Sequence, residues 1–311
     1  MELIMNKLSL EEGKKIESKI VDFIREQVKL QKKEGVLIGI SGGIDSAVVA
    51  ALAVKAVGKE NVSTLILPDV DSDETTLEDA KLVTDFLELE KVHIEDISPK
   101  LEAFGVYSLF PQLYSVTREE RQKIILEKKE KLFHQNTDSD IEGLVNYREN
   151  KNEELRRIRA LWNTKIRLRM AMFYFYAEQH NLLVLGTTNK TEYDIGWFTK
   201  YGDGGVDIEP IISLYKTTVF ELAKYLNIPD RIIKKKPSGD ILPGFYDNEG
   251  IGISFEMLDR ILLGFDREMK FEDISKELEI DLDIIKNVYS LVESSTYSRK
   301  APVQLELNKE R

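Results

Sequence analysis

Hydrophobic and polar positions switch between two periods along the first hundred residues. Between residues 10 and 33, Ile16, Ile20, Phe23, Ile24 and Val28 recur at helical spacing among charged neighbours, which predicts an amphipathic covering helix. The run Val36 to Ile40 predicts a buried parallel strand. An Ala/Val/Leu stretch over 47–57 closes on Gly58, the pattern of a helix with a glycine stop. Asn61 to Pro68 reads as a second strand, 75–89 as a helix, Lys91 to Ile97 as a third strand and Leu182 to Leu185 as a later one. This alternation predicts an α/β fold: a doubly wound parallel sheet with helices on both faces and ligands at the strand C-termini, near the switch point. The loops after the first two strands and after 182–185 all fall on that edge.

The pattern changes after residue 105. Arg118 to Phe133 reads as a charged helix, His134 to Glu142 as a polar stretch, and about Glu153 to Gln179 as a long helix. On that long helix Leu155, Ile158, Trp162, Ile166, Met170, Phe173 and Ala177 are expected to line one face. We read residues 1–311 as a single domain with a charged helical insertion at about 105–160, either solvated or covering a substrate or partner subunit. Residues Phe271 to Arg311 read as two short helices and a polar tail. The superficial helix-turn-helix there carries Glu277, Glu279, Asp281 and Asp283, which oppose DNA contact.

The 311 residues are 42% apolar and 32% charged, the balance of a soluble globular protein. A net charge of −11 argues against a broad nucleic-acid surface, so a polyanionic ligand must be held by a local cluster of cations. No stretch approaches the ~20 apolar residues that span a bilayer, and the first residues lack a signal-peptide pattern, so the cytoplasm is the expected location. The chain has no cysteine, which excludes disulfides, thiolate metal sites and a cysteine nucleophile. Glutaminase modules generally use a catalytic cysteine. An amide-forming reaction here would draw on free ammonia or on a separate glutaminase.

Candidate chemistry concentrates at Ser41-Gly42-Gly43-Ile44-Asp45-Ser46, between the first strand and its helix. Such a turn aims backbone N–H groups and the positive helix end at one point, an anion site. Gly42 and Gly43 let the backbone approach the anion, and Ser41 and Ser46 add hydroxyl donors. Asp45 would repel phosphate unless a metal ion bridged the two, so the local reading is a Mg-pyrophosphate cradle. No Gly-Lys-Ser/Thr follows, which excludes a Walker A loop. Gly39 to Gly43 also matches the esterase elbow G-x-S-x-G. Of the three histidines that a triad could use, His93, His134 and His180, none lies in a loop resembling a catalytic turn.

The Ser41–Ser46 loop resembles the SGGxDS loop of the N-type ATP pyrophosphatases, which cleave ATP between the α and β phosphates. Four later segments narrow the resemblance: Leu185 to Glu192, Phe198 to Gly205, Pro210 to Lys216, and Lys236 to Asp240. In this order they resemble the NAD synthetase family over roughly residues 10–104 and 160–300, and the Phe-Thr-Lys-Tyr-Gly-Asp-Gly-Gly run is highly specific to it. The resemblance implies a Rossmann-like, adenine nucleotide alpha hydrolase-like fold and an AMP-forming amidation of deamido-NAD by ammonia. ATP is then the co-substrate, Mg²⁺ the cofactor and a homodimer the assembly. A sibling amide ligase acting on another carboxylate, or a non-catalytic nucleotide binder on a similar fold, would share the strand–loop–helix unit.

Carried over residue by residue, the resemblance makes Asp45 and Glu192 the metal pair, hard oxygen donors suited to Mg²⁺. Lys216 is expected just before the helix that includes Val219 to Tyr225, stabilising charge on the α-phosphate. Ser41, Gly42, Gly43, Ser46, Arg167, Thr187, Lys200 and Ser238 complete the nucleotide set, with Arg169 structural. Thr187 offers a hydroxyl and could also cap a helix. Asp203, between glycines suited to an unusual backbone, would bind the pyridine end and take a proton from ammonium. Phe198 is either a stacking ring or a core aromatic. Many relatives carry Arg two residues before the proline that ends the second strand, where this chain has Ile66, followed by the acidic run Asp69 to Glu74.

Overall fold

A computed structural model describes residues 3, 7–133, 153–240, 246–247 and 251–305. Four strands, β1 (Gly35–Gly39), β2 (Val62–Ile66), β3 (Lys91–Ile94) and β4 (Leu182–Leu185), pair in parallel in the order β3-β2-β1-β4. Val36 lies opposite Val62 on one side and Leu183 on the other. The chain winds outward from β1 to β3, then returns to lay β4 against the other side of β1. The switch point therefore falls between β1 and β4, where a crevice opens at the strand C-termini. All of β4 is buried, whereas β3 is the exposed edge.

Helices cover both faces, as the alternation predicts. On one face lie α1 (Leu10–Leu30), α2 (Ile44–Val57), α3 (Thr76–Phe86) and the helix Lys216–Tyr225, packed around Ile24, Val48, Leu52, Val83, Val219 and Leu222. Ser9 and Glu12 close a reciprocal capping box at the start of α1. Because α2 is apolar on all sides it is a buried helix, and it stops at Gly58 with φ 83°. The opposite face is covered by the long helix Glu153–Gln179 and the turns Ser98–Ala103 and Pro111–Tyr114. A third apolar cluster joins Phe255–Asp266, Phe271–Leu278 and Leu282–Arg299, and it also takes in Ile195 and Tyr215 beside the crevice.

Several boundaries shift. The first-loop helix begins at Ile44, not at 47, so Asp45 and Ser46 occupy its first turn. Strand β3 stops at Ile94, and Ile97 turns into the core of the opposite face. The stripe expected on the long helix divides: Ile158, Trp162, Phe173 and Ala177 join that core, while Ile166 and Met170 abut Gly202 and Gly205. The last helix spans 18 residues and is not short. Arg118–Phe133 is helical as expected, and its Arg121 is buried against Asp71, so this helix is not merely solvated. The polar stretch His134 to Glu142 and the side chain of Leu155 lie outside the described residues. Among the described residues no helix is long and apolar enough to cross a membrane.

Candidate active site

The Ser41–Ser46 loop is held by its own polar groups. Ser46 Oγ donates to Gly43 O at 3.0 Å, Gly43 N–H donates to Ser41 Oγ at 3.2 Å, and the two serine hydroxyls are 3.2 Å apart. Among the described residues no histidine bonds Ser41, so the esterase reading lacks its base. Gly42 has φ 71°, and a Cβ there would meet Asp79 Cβ at 2.7 Å and Ala80 N at 2.9 Å. The glycine is thus required by the close passage of α3 as well as by its backbone. Asp79 is buried; despite that burial, Lys235 and Arg231 hold its carboxyl below the usual range.

Asp45, Glu192 and Lys216 meet at the switch point. Glu192 rides on the short helix Lys190–Ile195 that follows β4, and Lys216 opens the helix Lys216–Tyr225. Lys216 is therefore the first helical residue, not a residue ahead of the helix, and it is 1% exposed, not a surface lysine. Its Nζ contacts Asp45 Oδ2 and lies 3.2 Å from Glu192 Oε1. Burial disfavours the ammonium, but Asp45, Glu192 and Asp247 outweigh it and hold Lys216 protonated. Burial also pushes the Glu192 carboxyl up to about 8, against the pull of Lys216. Two carboxyl groups thus converge on one lysine, and burial disfavours a second negative charge, on Glu192. Among the described residues no three metal-ligating side chains converge. This donor set suits Mg²⁺, which commonly takes one or two carboxylates and completes its shell with phosphate and water.

Asn189 completes this cluster. Its Oδ1 accepts from Glu192 N–H at 3.0 Å, its Nδ2 donates to Asp45 Oδ1 at 3.0 Å, and Glu192 closes a capping box on it. The cap expected of Thr187 is therefore made by Asn189. The signal was the Asn-x-x-Glu spacing, visible in the sequence; the second bond, to Asp45, was not. Asp247, also unselected from the sequence, is buried and accepts Trp197 Nε1–H at 3.2 Å.

A second group surrounds the Phe198–Gly205 loop. Asp203 Oδ1 accepts Thr199 N–H at 2.7 Å; the residue as a whole is exposed, but desolvation of its carboxyl within the loop pushes its pKa up to about 6, against the pull of backbone N–H groups. The positive φ in this loop belongs to Tyr201 (59°), not to the glycines. Gly202 and Gly205 are needed for close approach instead: added Cβ atoms would meet Ile166 Cγ2 at 2.7 Å and Met170 Cγ at 3.0 Å. Arg167 Nη2 donates to Lys200 O at 3.2 Å, while Lys200 Nζ donates to Tyr297 O and Lys300 O, both at 2.9 Å. These two cations are bonded within the Phe198–Gly205 loop and to the end of the last helix, not to the Asp45 cluster. Phe198 stacks on Tyr193, with centroids 5.7 Å apart. Glu209, behind Gly186, accepts Thr188 N–H at 3.2 Å, and burial raises its carboxyl to about 8.

Ser238 accepts Asp240 N–H at 3.1 Å, and Asp240 Oδ1 takes Asp73 N–H at 2.7 Å and the Thr76 hydroxyl at 2.9 Å. This pins the Lys236–Asp240 segment to the start of α3. Ile66 is buried in the α2-side core, where an arginine head would have no water. Basic side chains reach the loop after β2 from two helices, Arg118–Phe133 and Glu153–Gln179. Lys165, fully buried, pairs with Asp69 at 3.0 Å and Asp71 at 2.6 Å, Arg169 with Asp69 at 3.0 Å, and Arg121 with Asp71 at 3.0 Å. Arg169 also donates to Leu67 O at 3.0 Å, and Lys165 carries no sequence signal of its own.

Comparison with known proteins fits this geometry. The NAD synthase family profile matches residues 16–110 and 109–302. The NH(3)-dependent NAD(+) synthetase of Thermotoga maritima is 40% identical over 286 residues, 91% of this chain and 97% of its own length. That of Methanocaldococcus jannaschii is 37% identical over 292 residues, covering 94% and 96%. Among solved structures, an NMN synthetase from Francisella tularensis superposes with TM-score 0.69 at 29% identity, covering 95% of this chain and 99% of that one. An NH3-dependent NAD synthetase from Campylobacter jejuni gives TM-score 0.66 at 30% identity, covering 94% and 99%. Matched along nearly its whole length, with the ordered loops assembled at one sheet edge, this chain belongs to the NAD synthase family.

Proposed function

We propose that the protein is an ammonia-dependent NAD synthetase, converting deamido-NAD, ATP and ammonia to NAD, AMP and pyrophosphate. The observation that carries this reading is the convergence of Asp45, Glu192 and Lys216 at the switch point of a chain in this family. A carboxylate is a poor electrophile and must be activated. Its oxygen attacks the α-phosphorus of ATP, the bond from that phosphorus to the bridging oxygen breaks, and pyrophosphate leaves. Ammonia then adds to the acyl carbon, the acyl–oxygen bond breaks, and AMP departs.

The chain's own groups position reactants and balance charge. The N-terminal end of α2, with Ser41, Gly42, Gly43 and Ser46, holds the departing diphosphate. Lys216 offsets the negative charge that builds on the α-phosphate. Thr187 and Ser238 supply hydroxyls to the nucleotide, and Arg167 and Lys200 supply positive charge on the acceptor side. Asp203, raised towards neutrality yet ionised at pH 7, takes the proton that ammonium loses. Mg²⁺, held by Asp45 and Glu192, would shield the charge of the pyrophosphate. By the same family likeness the enzyme works as a cytoplasmic homodimer, on free ammonia or ammonia from a separate glutaminase.

The test incubates purified protein with Mg-ATP, ammonium and deamido-NAD and separates the products by chromatography. NAD and AMP are expected in equal amounts. Release of ADP, or turnover only with another acid, overturns the assignment. Because an NMN synthetase shares the fold, the mononucleotide acid belongs in the same assay; a preference for it would move the acceptor assignment.

A further inference from the structure

Behind the Asp45–Glu192–Lys216 cluster lies a carboxylate that touches none of the three side chains. Asp259, on the helix Phe255–Asp266, is 0% exposed, and among the described residues no lysine or arginine pairs with it. Its Oδ2 accepts Thr217 N–H at 2.8 Å, and its Oδ1 accepts the Thr191 hydroxyl. Thr191 Oγ1 in turn accepts Lys216 N–H at 2.9 Å. The helix Lys216–Tyr225 receives no side-chain cap from its own N-cap residue, Tyr215, so Asp259 caps it from another helix. Thr191 lies beside Glu192 in the first turn of Lys190–Ile195. One carboxylate therefore ties the turn that bears Glu192 to the turn that bears Lys216.

We propose that Asp259 is a positioning residue, fixing Lys216 and Glu192 relative to each other through Thr191 and Thr217. A buried carboxylate with no paired cation is costly where packing alone is required. Here each oxygen meets a donor from a different site-bearing helix. The inference rests on Lys216 and Glu192 acting at the nucleotide.

Asp259→Asn keeps the shape but turns one acceptor into a donor facing Thr191 or Thr217. Misplacement of about 1 Å is expected to lower kcat by roughly 10–100-fold. Thr191→Val breaks the same bridge from the Glu192 side and serves if Asp259→Asn does not fold. The deciding readout is a double-mutant cycle with Lys216→Met: if Asp259 acts through Lys216, adding Asp259→Asn to that background costs no more than about 3-fold. Leu262→Ala, in the same helix, is the stability control, expected to lower the melting temperature while kcat holds. A full multiplicative loss in the Lys216→Met background, unchanged kcat in Asp259→Asn and Thr191→Val, or an equal kcat loss in Leu262→Ala, would each overturn the positioning role. Full turnover by Lys216→Met alone would instead overturn the nucleotide-site reading on which it rests.

Discussion

Two loops at the same sheet edge handle buried charge in opposite ways. At the switch point, Asp45 and Glu192 share one lysine, Lys216, and burial drives Glu192 towards its neutral form. After β2, Asp69 and Asp71 face three cations, Lys165, Arg169 and Arg121, and Tyr114 adds a hydroxyl at 2.6 Å. Burial alone would raise the Asp69 carboxyl, but Lys165 and Arg169 hold it below the usual range. Glu192, short of such partners, is driven up. A cluster in which every carboxylate has its own cation needs no further cation from solution and acts as scaffold. A cluster in which one carboxyl lacks a cation of its own can take up a metal ion, on which that carboxyl ionises.

The largest effect should come from the cluster after β2. Lys165→Met removes the one cation that both buried carboxylates share, leaving Asp69 with Arg169 and Asp71 with Arg121, and is expected to cost about 3 kcal/mol of stability, read by denaturant unfolding. A loss under about 1 kcal/mol, the range of an exposed pair, would erase the distinction between the loops. At the switch point the expectation reverses. Asp45→Asn and Glu192→Gln should each lower the amidation rate at least ~100-fold, yet leave the melting temperature of the ligand-free protein unchanged or raised. A marked loss of stability in either variant would mean that those carboxylates are structural.

Gly42→Ala probes the backbone that frames the Asp45 cluster. Its left-handed φ costs about 1–2 kcal/mol for any other residue, before the approach to Asp79 at 2.7 Å is counted. Thermal melts and ATP affinity should fall together. The smallest effect is in pH. Asp203 must be ionised to accept a proton, so amidation should fall about tenfold per pH unit below its pKa, which lies near 6. Asp203→Asn should remove that inflection, and its persistence would assign the proton to another group.

Much of this arrangement could be read in the chain, because parallel strands are apolar runs and helix stripes repeat within a few residues. The four strands, Gly58 as a stop and the placing of Asp45 and Glu192 at strand ends all follow from such short-range pattern. The start of α2 was misplaced because Gly-Gly-Ile-Asp reads as turn, although Gly43 in extended backbone is a sound N-cap for a helix beginning at Ile44. Lys165 looked like one more charge on an amphipathic helix, since its partners lie 94 and 96 residues away. Tyr201 and its flanking glycines show the same limit: which residue takes the positive φ, and which must simply stay small, depends on the helix packed against them.

The grip of the last helix bears on when a growing chain becomes competent. Ser295 Oγ and Arg299 Nη1 donate to Asp194 O, each at 2.9 Å, and Lys200 reaches residues 97 and 100 positions further on. The sheet is complete once β4 has emerged, and Glu192, Lys216, Ser238 and Asp259 all follow before the last helix begins at Leu282, so nucleotide affinity can precede that helix. The Phe198–Gly205 loop and the end of the Glu192 helix find these partners only after residue 300. A nascent polypeptide halted before its final helix is expected to protect ATP while transferring no ammonia, because the loop that bears Asp203 still lacks its partners at Tyr297 and Lys300.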